Sequence, residues 1–257
     1  MGLRRSWSLI ACCLPLVCSA TDIRIVTEHL PPYQINTAAG PRGFATEVVQ
    51  QLFKEADQPY QIEFQSWSRA YQLALRDADV CIYSISKSEE RQRLFQWVGA
   101  LSYNITGIYA LKNRTDITLT SLEDARKYRI AVTRDDITHH YLLQHGFREG
   151  KELYVLDTVD SMLQVLVNRS QEIDLVLVND TILKYRAHEA GMSDKQFSRL
   201  LDLPDLPLDF HLACSLKTSP NVVAKLRNAL TQLKRDGRYQ KIVGDWSEQF
   251  KNNVGVP

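Results

Sequence analysis

Tyr60-Gln61-Ile62-Glu63-Phe64, then Trp67-Ser68-Arg69-Ala70-Tyr71-Gln72-Leu73-Ala74-Leu75-Arg76, then Asp79-Val80-Cys81-Ile82-Tyr83-Ser84 decide the fold. The first stretch alternates like a strand. The second places Ala70, Leu73 and Ala74 on one helical face. The third is a short apolar run of the kind a buried strand shows. Working outward, Ile23–Thr27 reads as an earlier strand, Pro31-Pro32 as a loop, and Gly40-Pro41-Arg42-Gly43 as a turn. A helix follows, with Phe44, Val48, Val49, Leu52 and Phe53 at helical spacing. Strand, helix, strand, helix, strand predicts a largely parallel sheet covered by helices.

The pattern then restarts. Strands are expected at 105–111, 129–133, 154–156 and 173–178. Helices are expected to start at Ser121 and to run over 138–145, 159–168 and 181–190. Leu201–Pro207 reads as a linker, Phe210–Leu216 as a strand, and 221–236 and 239–250 as closing helices. Two α/β units therefore lie in series, with a strand and two helices left over.

Composition is that of an ordinary globular chain: 257 residues, 44% hydrophobic and 24% charged, which excludes collagen-like and low-complexity classes. The formal net charge of +1 gives no general pull toward nucleic acid or anionic lipid. Arg4 and Arg5, an apolar run from Leu9 to Val17 and Cys18-Ser19-Ala20 have the build of a signal peptide over residues 1–20. A lipoprotein box at Leu9-Ile10-Ala11-Cys12 is the rival. Cleavage after Ala20 removes two arginines and no acids, leaving a net −1, and spares only Cys81 and Cys214. Each lies in an apolar run, so both are expected as small buried hydrophobes, with pairing the alternative.

Phosphate-loop, Cys-x-x-Cys, His-Glu-x-x-His and Gly-x-Ser-x-Gly motifs do not occur. Adjacent His139 and His140 diverge by about 100° on a helix, which suits a shared metal poorly. No cofactor and no metal are expected.

Several ordered pieces resemble the family 3 extracellular solute-binding proteins, periplasmic receptors of ABC-type importers. These are Pro31-Pro32-Tyr33 with Gly43-Phe44, Trp67-Ser68-Arg69-Ala70, Ser84-Ile85-Ser86-Lys87-Ser88-Glu89-Glu90-Arg91, Arg129–Thr133, Ile173–Asp180, Phe210–Cys214 and Gly237–Trp246. The similarity spans nearly all of residues 22–250 and points to a poorly characterised branch related to polar amino-acid binders.

The resemblance implies an α/β, two-lobed type II periplasmic-binding fold, each lobe a mostly parallel sheet flanked by helices. Lobe 1 would comprise 21–108 and 207–257, lobe 2 would comprise 109–206, and two crossings would form the hinge. It implies a monomeric periplasmic protein that closes on a small polar solute (an amino acid, amine or related molecule) and passes it to a membrane permease. It implies neither nucleic-acid binding nor membrane insertion after signal cleavage.

The same resemblance nominates ligand-binding residues. Arg91 would take a carboxylate with two parallel charge-assisted bonds. Ser84 and Ser86 would add donors, and Asp180 would accept from an ammonium. Tyr33 and Trp67 would wall the cleft. Each has a competing structural reading. Arg91 would pair with Glu47 or Glu90, Asp180 would cap the helix from Thr181, and Trp67 would be core. Where amino-acid binders carry Gly-Thr or Gly-Ser, this chain has Arg134-Asp135-Asp136, and two acids there repel a carboxylate. Asp136 is the remaining candidate, as a cap, a ligand group or an acid–base. The alternatives to transport are a periplasmic enzyme of the cyclohexadienyl-dehydratase type, using Asp136, Asp180 or Glu28, and a soluble sensory module.

Overall fold

The computed structural model describes residues 22–104, 106–158, 161–203, 205–206 and 209–254, with side chains through residue 248. The signal-peptide expectation for residues 1–20 therefore lies outside the described residues. Among the described residues no helix is long and apolar enough to cross a membrane.

The chain opens with β1 (Ile23–Thr27), a hairpin of β2 (Ile35–Thr37) and β3 (Gly40–Arg42), α1 (Phe44–Glu55), β4 (Tyr60–Phe64), α2 (Trp67–Arg76) and β5 (Val80–Ser86). It continues through β6 (Phe95–Ser102) and β7 (Thr106–Leu111) to β8 (Ile130–Thr133), α3 (Ile137–Gln144) and β9 (Leu153–Leu156). Then come α4 (Met162–Asn168), β10 (Leu175–Asn179), α5 (Asp180–Glu189), β11 (Phe197–Asp202), β12 (Phe210–Ser215), α6 (Pro220–Arg235) and α7 (Arg238–Val254).

Two five-stranded sheets result, in the orders β4-β1-β5-β12-β6 and β11-β7-β10-β8-β9. In the first, β4, β1 and β5 are parallel and β12 runs against both its neighbours. In the second, β10, β8 and β9 are parallel and β7 runs against both its neighbours. Each sheet thus has one reversed strand. The chain passes from the first sheet to the second between β6 and β7, and returns between β11 and β12. The fold is the α/β, two-lobed type that the family resemblance implies.

The first sheet buries α1 through Ala45, Val48, Val49, Leu52 and Phe53, and α6 through Val223, Leu226, Ala229, Leu230 and Leu233. Its other face takes α2, through Trp67, Ala70, Tyr71 and Ala74. Apolar burial of this kind, at roughly 25 cal/mol per Å², is the main drive that docks these helices. Gly43 opens α1 at φ 110°, where a side chain would collide with the Tyr33 carbonyl. Only glycine tolerates both demands.

Three expectations are corrected. Cys81 and Cys214, expected as separate hydrophobes, form a disulfide and are wholly buried. They face each other in the antiparallel β5–β12 pair, a register that strand periodicity alone does not disclose. The supposed linker from Leu201 begins inside β11, whose alternating, half-polar Phe-Ser-Arg-Leu-Leu-Asp suits a sheet edge. The Gly40 turn is one strand of a small hairpin.

Candidate functional site

The parallel strands of both sheets end at a shared gap, the place where open α/β sheets present ligand groups. A cavity of about 50 Å³ lies there. Glu28 enters it just past β1, Ser84 and Ser86 from the end of β5, Thr133 from the end of β8, and Asn179 from the end of β10. Asp136 and Thr138 reach it at the start of α3. Leu30, Ile137, Met162, Leu177, Ile182 and Phe210 supply the apolar wall.

Ser84 occupies the left-handed region at φ 58°, where the β5–β12 register slips. A non-glycine residue held there carries backbone strain, a feature that clusters at binding sites. Its hydroxyl donates to Gln34 Oε1 at 2.7 Å. Ser86 Oγ and Thr133 Oγ1 are buried and make no hydrogen bond among the described residues. A buried hydroxyl without a partner costs about 1–3 kcal/mol, so the two mark a place that a polar ligand would satisfy.

Asp136 caps α3. Its Oδ2 accepts from the Thr138 hydroxyl at 2.9 Å and from the Thr138 N–H at 3.4 Å. Its Oδ1 accepts no hydrogen bond among the described residues.

Arg91 lies in the gap without lining this cavity. It is 2% exposed, and its guanidinium sits 5.6 Å from the Trp67 ring and 5.0 Å from the Tyr71 ring. Nη2 donates across the gap to the Asp135 carbonyl at 2.8 Å. Nη1 lies 3.5 Å from the Ser86 carbonyl. Trp67 Nε1 donates to the same Asp135 carbonyl, also at 2.8 Å. Asp135 is itself in the left-handed region, at φ 57°, with its N–H donated to Nδ1 of buried His139. Two donors from the first sheet's side thus converge on one backbone oxygen of the second. Among the described residues, neither Glu47 nor Glu90 forms an ion pair with Arg91.

Tyr33 and Asp180 sit on the crossing side. Tyr33 is buried against Phe44 and Phe210, at 4.9 and 5.0 Å between ring centroids, and its hydroxyl meets Asn104 of the β6–β7 crossing. Burial holds that phenol well above its ordinary pKa. Asp180 pairs with Lys184 at 2.8 Å and accepts from Tyr109 at 3.2 Å. Burial, with Asp180 beside it, pushes the Tyr109 hydroxyl up to about 12, so it remains a donor. Asp180 is the first residue of α5, and the cap is Asn179, whose Oδ1 accepts from the Ile182 N–H. Tyr33 and Asp180 line a second cavity of about 370 Å³ with Phe44, Tyr103, Tyr239 and Trp246.

Of the nominated residues, Ser84, Ser86 and Asp136 come together around the central cavity. Arg91 and Trp67 come together on Asp135, and Tyr33 and Asp180 flank the crossing. Residue-type reasoning passed over Thr133 and Asn179. Thr133 ends an expected strand and Asn179 directly follows one, and those positions were the available signal.

Residues 23–249 match the bacterial extracellular solute-binding proteins, family 3. An amino-acid-binding protein, AabA of Dichelobacter nodosus, is 23% identical over 247 residues, covering 92% of each chain. A histidine kinase sensor domain with similarity to periplasmic binding proteins superposes with TM-score 0.74 at 21% identity, covering 88% of this chain and 95% of that one. An ancestral arginine-binding protein bound to arginine gives 0.74 at 16% identity, covering 88% and 97%. The match over nearly the whole described length, on a two-sheet fold with strand ends converging on one cavity, makes this chain a member of the bacterial extracellular solute-binding proteins, family 3.

Proposed function

We propose that this protein is a periplasmic receptor that captures a small polar solute, an amino acid or amine, in the interlobe cavity and delivers it to the permease of an ABC-type importer without chemical change. The carrying observation is the pair of buried, unpartnered hydroxyls, Ser86 and Thr133, facing one cavity from two different sheets. A site split in this way is completed when the lobes approach and opened when they part. The cavity of about 50 Å³ holds only a few water-sized spaces, so an amino-acid-sized solute enters through lobe separation.

Lobe 1 is proposed as 21–108 with 207–257, and lobe 2 as 109–206. Tyr33, Trp67, Ser84, Ser86, Arg91, Asp136 and Asp180 are the proposed site and gap residues. The Cys81–Cys214 disulfide fits an oxidising compartment, and with it secretion through residues 1–20. The amino-acid-binding relative supports the solute class. The likeness to a kinase sensor domain supports a second reading, a binding module that reports its solute to a signalling partner.

A thermal-shift screen of the secreted chain against amino acids, amines, short peptides and organic acids tests the proposal. It predicts stabilisation by one narrow chemical class, followed by one-to-one binding in calorimetry and unchanged solute on recovery. Stabilisation by no solute, or recovery of a converted product, would refute it.

A further inference from the structure

Resting on the receptor reading, we infer that the solute is an organic amine without a carboxylate, its ammonium accepted by Asp136 Oδ1, and that Arg91 is a cross-gap latch rather than a carboxylate anchor. An α-amino acid needs a cation or a cluster of free donors for its carboxylate. Among the described residues, no lysine, arginine or histidine lines the central cavity. Arg91 has committed Nη2 to the Asp135 carbonyl, and its faces lie against Trp67 and Tyr71. Arg186, also outside that lining, donates Nη2 to the His29 carbonyl at 3.2 Å.

Helix N-termini are the other common carboxylate partners. Here the first-turn N–H groups of Thr138 and Ile182 already have acceptors in Asp136 and Asn179. Two carboxylates, Glu28 and Asp136, line the cavity, and a solute carboxylate would meet like charge. An ammonium finds the reverse: an Asp136 oxygen with no donor on it, and the Ser86 and Thr133 oxygens as further acceptors. Both hydroxyl-bearing residues are more than nine-tenths buried. A three-donor ammonium matches that set, one N–H to each.

Calorimetry with matched pairs separates the possibilities: agmatine against arginine, cadaverine against lysine, and histamine against histidine. The inference predicts that one amine binds at least about tenfold tighter than its carboxylated partner. Asp136→Asn should weaken that amine by about 10- to 100-fold, the usual value of a charge-assisted bond. Asparagine keeps the cap of α3, so the thermal midpoint should hold and separate lost binding from lost folding. Arg91→Lys should leave the preference for the amine in place. Tighter binding by the amino acid of a pair, or loss of the preference in Arg91→Lys, would overturn the inference while leaving a solute receptor intact. Silence across both series would also overturn it, and the wider solute screen would then judge the receptor reading separately.

Discussion

Replacing both cysteines, Cys81→Ala with Cys214→Ala, is expected to cost this protein a large part of its stability. The bond joins residues 133 apart, and the loop it closes contains the whole of the second sheet, β7 to β11. In the chain-entropy account, tying a loop of that length removes about 5 kcal/mol of unfolded-state freedom at 25 °C. Engineered and native bonds commonly return about 2–4 kcal/mol of such a ceiling. Alanine keeps only the Cβ, so the space of both wholly buried sulfurs is left empty and lost packing adds to the cost. For a chain of this size, about 4 kcal/mol lowers the thermal midpoint by on the order of 10 °C. Calorimetric melting of the two proteins, with thiol titration in denaturant to confirm that the parent chain has no free thiol after residue 20, measures it. A midpoint lowered by less than about 3 °C would refute the loop-closure reasoning.

Trp67→Phe keeps the ring against Tyr71 and removes one of two donors to the Asp135 carbonyl. The other donor, Arg91, remains, so no orphaned acceptor results, and the closed form should lose about 1 kcal/mol, read as roughly fivefold weaker solute binding in calorimetry. Gly43→Ala should destabilise the first lobe by about 2 kcal/mol or more, from strain at a forbidden φ plus a clash with the Tyr33 carbonyl, checked by urea unfolding. His140 and His211 are both held below the ordinary 6.5, chiefly by burial. Arg91 and His139 add to the lowering at His140, opposed by Glu90 and Asp135, while Lys87 and Lys234 oppose Asp209 at His211. Below pH 6.5 the unfolded chain then binds more protons than the folded one, so stability present above that pH is lost as pH falls. Urea midpoints at pH 7.5 and 5.5 should show the fall, and His140→Gln with His211→Gln should flatten it.

The sequence carried most of the architecture. Ile23–Thr27, Trp67–Arg76 and Asp79–Ser84 announce strands and a helix because their apolar spacing is dictated by one buried face or two. β6 and β11 were passed over because neither alternates cleanly: β6 interleaves Gln96, Gly99 and Ala100 with its apolar residues, and β11 carries adjacent Leu200 and Leu201 where its register slips. The return of the chain to the first sheet is a long-range pairing, invisible to local periodicity, and the cysteine pairing depends on it. Ser84 and Ser86 were legible through the family resemblance, and Asp136 as one of two adjacent acids that could cap a helix. The part taken by the Asp135 carbonyl was not, since a backbone oxygen leaves no mark in a residue list.

Central to the account is a pair of lobes that part to admit a solute and shut to bury it. Small-angle X-ray scattering from the secreted chain, alone and saturated with the solute that calorimetry identifies, tests this most directly. The account predicts a smaller radius of gyration in the saturated sample and a shift toward the larger value on Trp67→Phe. An identical radius in both samples, with the solute demonstrably bound, would contradict it.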